Sequence, residues 1–184
     1  MNRENFFRNL PELVTNRTVL RKINLFDTQD IFEYACKQEV SKYLFWDIHK
    51  NTITTRKFIS NVMQNYNDGK ESPWGIVFKE NQKLIGTVGF NLLNEESGTA
   101  EIGYVLLPDY WNLGIMTEVV NELKNYGIEF LGLKRIEAKC EPGNTASQKV
   151  LTKAGFKLIN RISKVKTNEG KIKTLLLFSF EETN

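Results

Sequence analysis

The sequence has very little cysteine and histidine: Cys36, Cys140 and His49 are the only such residues among 184. The two cysteines form no Cys-x-x-Cys pair and do not stand at metal-ligand spacing. A single histidine does not make a His-based metal site, so we expect no metal cofactor. Two isolated thiols fit the reducing cytoplasm better than a secreted, disulfide-linked protein.

Long apolar runs and an excess of one charge are also missing. No stretch approaches the roughly 18 apolar residues of a membrane helix. The first residues, MNRENFFRNLPEL, have neither an apolar signal core nor an arginine-rich amphipathic pattern. The formal net charge is only +3 and the basic residues are scattered, which argues against nucleic-acid binding. We therefore expect a cytoplasmic protein that binds neither membrane nor nucleic acid directly.

The composition that remains is that of an ordinary globular chain. Hydrophobic residues make up 41% and charged residues 26%. A chain of 184 residues can bury a sizeable core without cross-links. No linker or repeat divides it, so we expect a single domain over residues 1–184, as a monomer or a homodimer.

Hydrophobic periodicity predicts alternating strands and helices along the chain. The predicted strands cover residues 18–24, 74–78, 84–93, 99–107, 134–140, 156–166 and 172–180. The predicted helices cover residues 27–37, 52–66, 113–131 and 144–154. Asp27 is the expected N-cap of the first helix, and Gly86 and Gly89 are expected to interrupt the third strand. The helix over 113–131 is expected to be the longest, with Phe130 in its buried stripe. This order predicts a mixed α/β sandwich.

The first segment that suggests chemistry is the junction between the strand at 99–107 and the helix at 113–131. Pro108 stops the strand, and a loop with Gly114 leads into the helix. The first turn of a helix has unpaired N–H groups and a dipole that favours an anion. Gly114 would let the backbone approach a phosphate closely. An ordinary strand-to-helix loop with one glycine is an equally good interpretation.

The second segment is the helix NTASQKVLTKAGF. Asn144 is a good N-cap. Gly155 stands where a left-handed C-terminal residue belongs, and Phe156 can pack back on Leu151. Helix physics therefore explains these four residues, but it does not require Ser147.

The segments AEIGYVLLPDYW, WNLGIMTE and NTASQKVLTKAGF resemble the GNAT acetyltransferases, most closely the ribosomal-protein N-terminal acetyltransferases of the RimJ/RimL type. The resemblance covers most of the chain, from TVLRKIN to the C-terminal strands. It implies the GNAT fold, an α/β fold whose mixed, mostly antiparallel central sheet is split at the coenzyme site and flanked by helices. The coenzyme loop departs from the family pattern: Trp111 replaces Gln or Arg, Asn112 replaces a frequent glycine, and Met116 replaces a small residue.

The resemblance also implies acetyl-CoA as co-substrate and direct transfer to a primary amine without a metal. The pantetheine arm would pair with backbone groups of Val105, Leu106 and Leu107. Asn144 would contact the pantetheine, and Ser147 would lie near the sulfur. The pyrophosphate would be held by the amides of Asn112, Leu113, Gly114, Ile115, Met116 and Thr117. A fixed strand N–H would stabilise the oxyanion that forms when the amine attacks the thioester.

Two catalytic residues are predicted. Glu101 is the candidate general base, because period-two alternation places it on one strand face with Gly103 and Val105, directed toward the acetyl site. A solvated carboxylate next to a turn is an equally good interpretation. Many family members have a tyrosine acid where this chain has Leu151, so Ser147 is the candidate substitute. Cys140 ends a buried strand with no histidine nearby and is interpreted as packing.

The acceptor site is the least determined. In the family, the region of the aromatic loop 43–50 lines the amine pocket, so Trp46 and His49 are candidate substrate residues. A surface loop anchored by Trp46 is the alternative. The acceptor could be a protein N-terminus or a small amine, such as a polyamine or an aminoglycoside. A catalytically degenerate acyl-CoA-binding module is the competing function, favoured by Trp111, Met116 and Leu151.

Overall fold

The computed structural model describes residues 3–44, 46–166 and 172–182. The strands are β1 (Leu13–Val14), β2 (Thr18–Arg21), β3 (Trp74–Phe78), β4 (Leu84–Asn94), β5 (Thr99–Leu106), β6 (Arg135–Cys140), β7 (Lys157–Lys166) and β8 (Ile172–Glu181). The helices are α1 (Arg3–Arg8), α2 (Thr28–Ala35), α3 (Gln38–Ser41), α4 (Thr52–Asp68), α5 (Ile115–Glu129) and α6 (Thr145–Lys153). No helix in these ranges is long and apolar enough to cross a membrane.

The strands form one sheet in the order β1-β2-β3-β4-β5-β6-β8-β7. Within the described strands only β5 and β6 run parallel. Tyr34 of α2 hydrogen-bonds Thr87 of β4, whereas Gly127 of α5 lies against Phe90 of the same strand. Because Thr87 and Phe90 are three residues apart, they face opposite sides of the sheet. Helices therefore cover both faces of a mostly antiparallel sheet, as the sequence predicts.

The start of the first long helix differs from the prediction. β2 ends at Arg21, and a 3₁₀ turn at Leu25–Asp27 precedes α2. The Asp27 side chain makes no cap hydrogen bond to α2. Its buried carboxylate instead pairs with the Arg21 guanidinium at 2.7 Å and accepts from the Asn24 N–H at 2.8 Å. Asp27 is therefore the N-cap residue by position, as predicted, but its side chain does not cap α2, because the Arg21 ion pair takes both carboxylate oxygens.

β4 is one continuous strand through both of its glycines, but its register with β3 shifts beside Gly86, because Ile76 pairs with Gly86 and Val77 with Leu84. The predicted interruption is therefore present only as a register shift at Gly86, and Gly89 does not interrupt the strand. Gly86 is required by close contact, since an added Cβ would lie 2.2 Å from the Val105 carbonyl oxygen. A second irregularity lies between Phe90 and Leu92, where the register with β5 shifts by one residue. Asn91 is the extra residue of this β-bulge, a type of feature that no local glycine signal reveals.

The last helical turn of α5 also departs from the prediction. α5 ends at Glu129, so Phe130 is its C-cap and is 69% exposed rather than part of the buried stripe. The other apolar side chains of the stripe do pack inward, with Tyr126 half-buried. At 15 residues α5 is shorter than α4, which has 17 and ends at Gly69 in a left-handed conformation. The aromatic loop 43–50 contains Phe45, which lies outside the described residues.

Candidate active site

The sheet is split between its two parallel strands. β5 pairs with β6 only from Thr99 opposite Arg135 to Ile102 opposite Ala138. Beyond these residues β5 continues along β4 as far as Leu106, while β6 continues along β8. We call the resulting gap between β5 and β6 the fork. It opens toward the loop that leads into α5.

The ladder between β4 and β5 decides which backbone groups face the fork. The Leu107 N–H donates to the Ile85 carbonyl at 2.7 Å. Because hydrogen-bonded pairs alternate along an antiparallel ladder, the backbone groups of Val105 also face β4. Those of Tyr104 and Leu106 therefore point into the fork. Of the three predicted strand residues, only Leu106 presents its backbone there, and its carbonyl already accepts from Trp111 Nε1 at 2.8 Å.

The start of α5 leaves several amides free for a ligand. Gly114 is the N-cap, with φ of 77°, and has no side chain to cap the helix. The first bond within the helix runs from the Glu118 N–H to the Gly114 carbonyl, so the helix gives the three preceding amides no acceptor. Asn112 has φ of 61°, a left-handed conformation that asparagine tolerates better than most residues. Asn112 can therefore stand in for the family glycine.

An arginine that the sequence analysis missed lies beside this loop. Arg17 donates from Nη1 to the Leu113 carbonyl at 2.8 Å and pairs through Nε with Glu118 at 2.8 Å. Burial opposes ionisation of Glu118, but hydrogen bonds from Thr15 and Arg17 outweigh it and lower its pKa. Arg17 thus neutralises a carboxylate in the first turn of α5, which would otherwise repel an anion. Arg17 and Glu118 are 101 positions apart in the sequence, so no local pattern reveals the pair.

The second motif forms the predicted helix with both of its ends. The Asn144 side chain accepts from the Ser147 N–H at 3.1 Å, which confirms the N-cap. Gly155 has φ of 87°, and the Phe156 N–H bonds the Leu151 carbonyl at 3.0 Å, as in a Schellman ending. The Ser147 hydroxyl lies 2.9 Å from the Tyr104 hydroxyl. α6 therefore brings Ser147 to the fork.

Glu101 lies near the start of β5, opposite Glu137 of β6. Its carboxylate pairs with Lys139 Nζ at 2.5 Å. Both line a groove of about 1300 Å³ that extends to α1 and the β4–β5 turn. The charged residues lining it are Glu4, Glu71, Glu95, Glu96, Glu101, Glu137, Arg3 and Lys139. We call this the acidic groove; its excess of carboxylates favours a cationic ligand.

His49 and Trp46 lie elsewhere. His49 is 9% exposed, contacts Thr55 Oγ1 through Nδ1 at 3.0 Å, and packs between the rings of Trp46 and Phe58. Burial lowers the pKa of this imidazole, which favours its neutral form. Neither Trp46 nor His49 lines the acidic groove. The structure therefore places the two predicted substrate residues apart from Glu101.

Cys140 is buried at the end of β6, and burial raises the pKa of its thiol. This environment agrees with packing rather than nucleophilic catalysis. Within residues 3–44, 46–166 and 172–182, no three potential ligands among His, Cys, Asp and Glu form a metal cluster.

Comparisons with known proteins place this geometry in a family. The family model for the acetyltransferase (GNAT) domain matches residues 17–157. The uncharacterized N-acetyltransferase p20 of Bacillus licheniformis is 35% identical over 91% of this chain and 94% of that protein. The ribosomal-protein-serine acetyltransferase of Escherichia coli is 28% identical over 68% of this chain and 71% of that protein. The crystal structure of the microcin C7 self-immunity acetyltransferase MccE, in complex with acetyl-CoA and AMP, superposes with a TM-score of 0.79 at 23% identity, covering 91% of this chain and 93% of that one.

Proposed function

The chain belongs to the GNAT acetyltransferase family and is an acetyl-CoA-dependent N-acetyltransferase, and from that premise we propose how its residues divide the reaction. The pyrophosphate binds the free amides at the start of α5, from Asn112 to Thr117. The pantetheine arm enters the fork and pairs with the backbone of Tyr104 and Leu106. Asn144 and Ser147 border the arm from α6. The fork, which leaves strand groups unpaired beside an uncapped helix, is the observation that carries this assignment.

Glu101 is the proposed general base. The acceptor amine approaches through the acidic groove, whose carboxylates attract its protonated form. Glu101 removes a proton from the amine, through a water molecule if the distance requires it. Lys139 holds the Glu101 carboxylate in place through their ion pair. Holding both substrates along one strand makes the transfer effectively unimolecular.

The reaction needs no covalent enzyme intermediate. The amine nitrogen forms a bond to the acetyl carbon, and a strand N–H facing the fork stabilises the resulting oxyanion. The carbon–sulfur bond then breaks, and the sulfur leaves as a thiolate beside Ser147. The Leu106 carbonyl is held by Trp111, which keeps the end of the strand fixed while the intermediate forms.

The proposed acceptor is a cationic primary amine, either a protein N-terminus or a small amine such as a polyamine or an aminoglycoside. The similarity to a ribosomal-protein-serine acetyltransferase supports the first class, and the charge of the acidic groove suits both. We place the whole reaction in one domain over residues 1–184. A cytoplasmic location fits the two free cysteines.

A catalytically degenerate acyl-CoA-binding module is the second candidate. Trp111 favours it, because this residue replaces the family Gln or Arg and occupies a strand carbonyl at the fork. Steady release of coenzyme A thiol from acetyl-CoA with a library of amines separates the two functions. An enzyme releases thiol continuously with at least one amine, whereas a binding module releases none.

Coenzyme binding is tested by calorimetry with acetyl-CoA in the presence of EDTA. We expect binding to persist, because backbone amides rather than a metal hold the pyrophosphate. The absence of binding heat at high protein concentration would contradict the proposed coenzyme site. Binding that EDTA abolishes would contradict the metal-free assignment.

A further inference from the structure

Three side chains meet where the fork begins. Ile102 and Ala138 are the last paired residues of β5 and β6. Tyr104 lies two residues after Ile102 in β5, and Cys140 lies two residues after Ala138 in β6. Because side chains alternate along a strand, Tyr104 is on the same face as Ile102, and Cys140 is on the same face as Ala138. α6 places Ser147 beside both: the Tyr104 hydroxyl lies 2.9 Å from Ser147 Oγ, and the Cys140 thiol is close to the Ser147 side chain. A ligand held by its phosphates at the start of α5 reaches this point when it extends fully into the fork.

Either hydroxyl can donate in the contact between Tyr104 and Ser147, and the direction in which Tyr104 donates is part of the inference. Burial raises the pKa of the Tyr104 phenol, so it remains a donor at neutral pH. The phenol lies within reach of two acceptors on the same residue, Ser147 Oγ and, at 3.4 Å, the Ser147 carbonyl. Serine has a single hydroxyl proton. When Tyr104 donates to Ser147 Oγ, that proton is free to point away from Tyr104.

We propose that Tyr104 is a positioning residue, whose phenol donates to Ser147 Oγ and thereby directs the Ser147 hydroxyl at the sulfur of coenzyme A. The inference rests on the proposed coenzyme site. Tyr104 also provides a phenol from a strand, whereas many family members have a tyrosine on the helix at the position of Leu151. Leu151 is fully buried in the core, whereas Tyr104 reaches the fork from the neighbouring strand.

The hydroxyl acts on the leaving group without a net proton transfer of its own. The nitrogen–carbon bond forms, the carbon–sulfur bond breaks, and the electron pair of that bond goes to sulfur. The ammonium form of the acceptor first loses one proton to bulk water, and the proton that the nitrogen loses after it bonds to the acetyl carbon goes to Glu101. The Ser147 O–H then donates to the thiolate, and a hydrogen bond to a charged acceptor is stronger than one to a neutral thioester sulfur. The hydroxyl therefore stabilises the product-like state more than the substrate.

The test compares coenzyme A with desulfo-coenzyme A, which lacks the sulfur, by calorimetry. Ultraviolet absorbance of the thiolate gives the pKa of the bound coenzyme A thiol in the same samples. We expect the wild-type protein to lower this pKa, and Tyr104→Phe to reverse the shift by about one unit, a tenfold change in thiolate affinity. Binding of desulfo-coenzyme A should not change. Ser147→Ala should show the same loss, and the double variant should be no worse than Ser147→Ala alone.

Tyr66→Phe is the matched control, because the Tyr66 hydroxyl is bonded to the Pro73 carbonyl and the Ile23 N–H, away from the fork. It should reduce stability and leave the thiol pKa unchanged. If Tyr104→Phe weakens the binding of coenzyme A and desulfo-coenzyme A equally, Tyr104 only connects β5 to α6 and does not act on the sulfur, which contradicts the inference. If Tyr104→Phe does not fold, an unchanged thiol pKa in Ser147→Ala overturns the inference. A wild-type protein that binds neither ligand contradicts the proposed coenzyme site instead.

Discussion

The two ends of β5 differ in charge and in what their backbone leaves unpaired. At its start, β5 is hydrogen-bonded on both sides, and Glu101 faces an acidic groove. At its end, β5 has lost β6, and the loop beyond it offers free amides beside the Arg17 guanidinium. The two ends of one strand thus have opposite local charge, with carboxylates beside its start and N–H groups and a guanidinium beyond its end.

This difference suits a reaction between a cation and an anionic coenzyme. An ammonium group gains from carboxylates, and a pyrophosphate gains from N–H groups and a cation. At its start, β5 is fixed between β4 and β6. At its end, the backbone groups that face the fork can form hydrogen bonds with a ligand in the way that they would with a neighbouring strand. We therefore expect changes at the start of β5 to affect turnover and acceptor binding, and changes beyond its end to affect acetyl-CoA binding.

The largest expected effect is that of Glu101→Gln at the acceptor end. Removal of a general base should reduce kcat by about a hundredfold at neutral pH. The KM for acetyl-CoA should barely change, because the coenzyme contacts lie further along the strand. The loss should shrink as the pH rises toward the pKa of the amine, since free amine needs no base. Steady-state kinetics across a pH series measures both effects.

Glu137→Gln is the matched control, because Glu137 stands opposite Glu101 and lines the same groove. It should retain most of the turnover. A Glu101→Gln protein with normal turnover and an unaltered pH profile would make Glu101 a solvated strand residue. The base would then be water, or Asp47 or His49 of the aromatic loop 43–50. If Glu137→Gln loses the activity instead, Glu137 is the base.

The next effect is that of Gly114→Val at the coenzyme end. A side chain there should block the approach of the pyrophosphate and raise the KM for acetyl-CoA about tenfold, the loss expected for charge-assisted contacts. The left-handed φ of Gly114 also costs about 1–2 kcal/mol of stability for any other residue. Calorimetry with acetyl-CoA and thermal unfolding separate the two contributions.

Gly132→Val carries the same backbone strain, because Gly132 has φ of 66° and open space around it. It should lose similar stability and keep the KM for acetyl-CoA. Equal KM values for the two folded variants would make Gly114 a turn residue only.

A smaller effect is expected for Arg17→Gln, which leaves the Glu118 carboxylate uncompensated in the first turn of α5. The KM for acetyl-CoA should rise about fivefold, corresponding to the roughly 1 kcal/mol of a charge at a helix terminus. The double variant Arg17→Gln with Glu118→Gln should recover most of this affinity. Arg135→Gln serves as control, since Arg135 pairs with Glu181 and stands opposite Thr99 at the paired start of β5 and β6, away from the fork. A double variant that stays weak would mean that Arg17 acts on the phosphates directly.

The smallest effect is expected for Glu96→Gln on the exposed rim of the acidic groove. The KM for the acceptor amine should rise about twofold at low salt and return toward the wild-type value at high salt, because exposed charges are screened. The value of kcat should stay the same. Glu80→Gln, an exposed change outside the groove, should alter neither constant. If the KM for the acceptor amine depends on salt in the same way in both variants, the acceptor does not approach through the acidic groove.

The family, the alternation of strands and helices, and α6 with its caps could all be predicted. Each depends on residues close together in sequence: Asn144 caps the amide three residues ahead, and Gly155 ends the same helix. The short elements α1, β1 and α3 gave too few residues for a periodic signal. Asp27 is the N-cap residue of α2 as predicted, but its side chain makes no cap hydrogen bond because Arg21 takes its carboxylate. Phe130 failed as a core residue because the helix ended one residue before it.

The sequence alone determined a strand-to-helix loop with a glycine at Gly114 and an Asn-x-x-Ser helix start at Asn144. Short-range backbone preferences are enough for both, since each motif is complete within a few residues. Only the tertiary structure decided which groups surround them: the Tyr104–Ser147 bond, the Arg17–Glu118 pair and the acidic groove. These contacts join residues far apart in sequence, and they depend on strand register and on the packing of α5 and α6, which local periodicity does not encode.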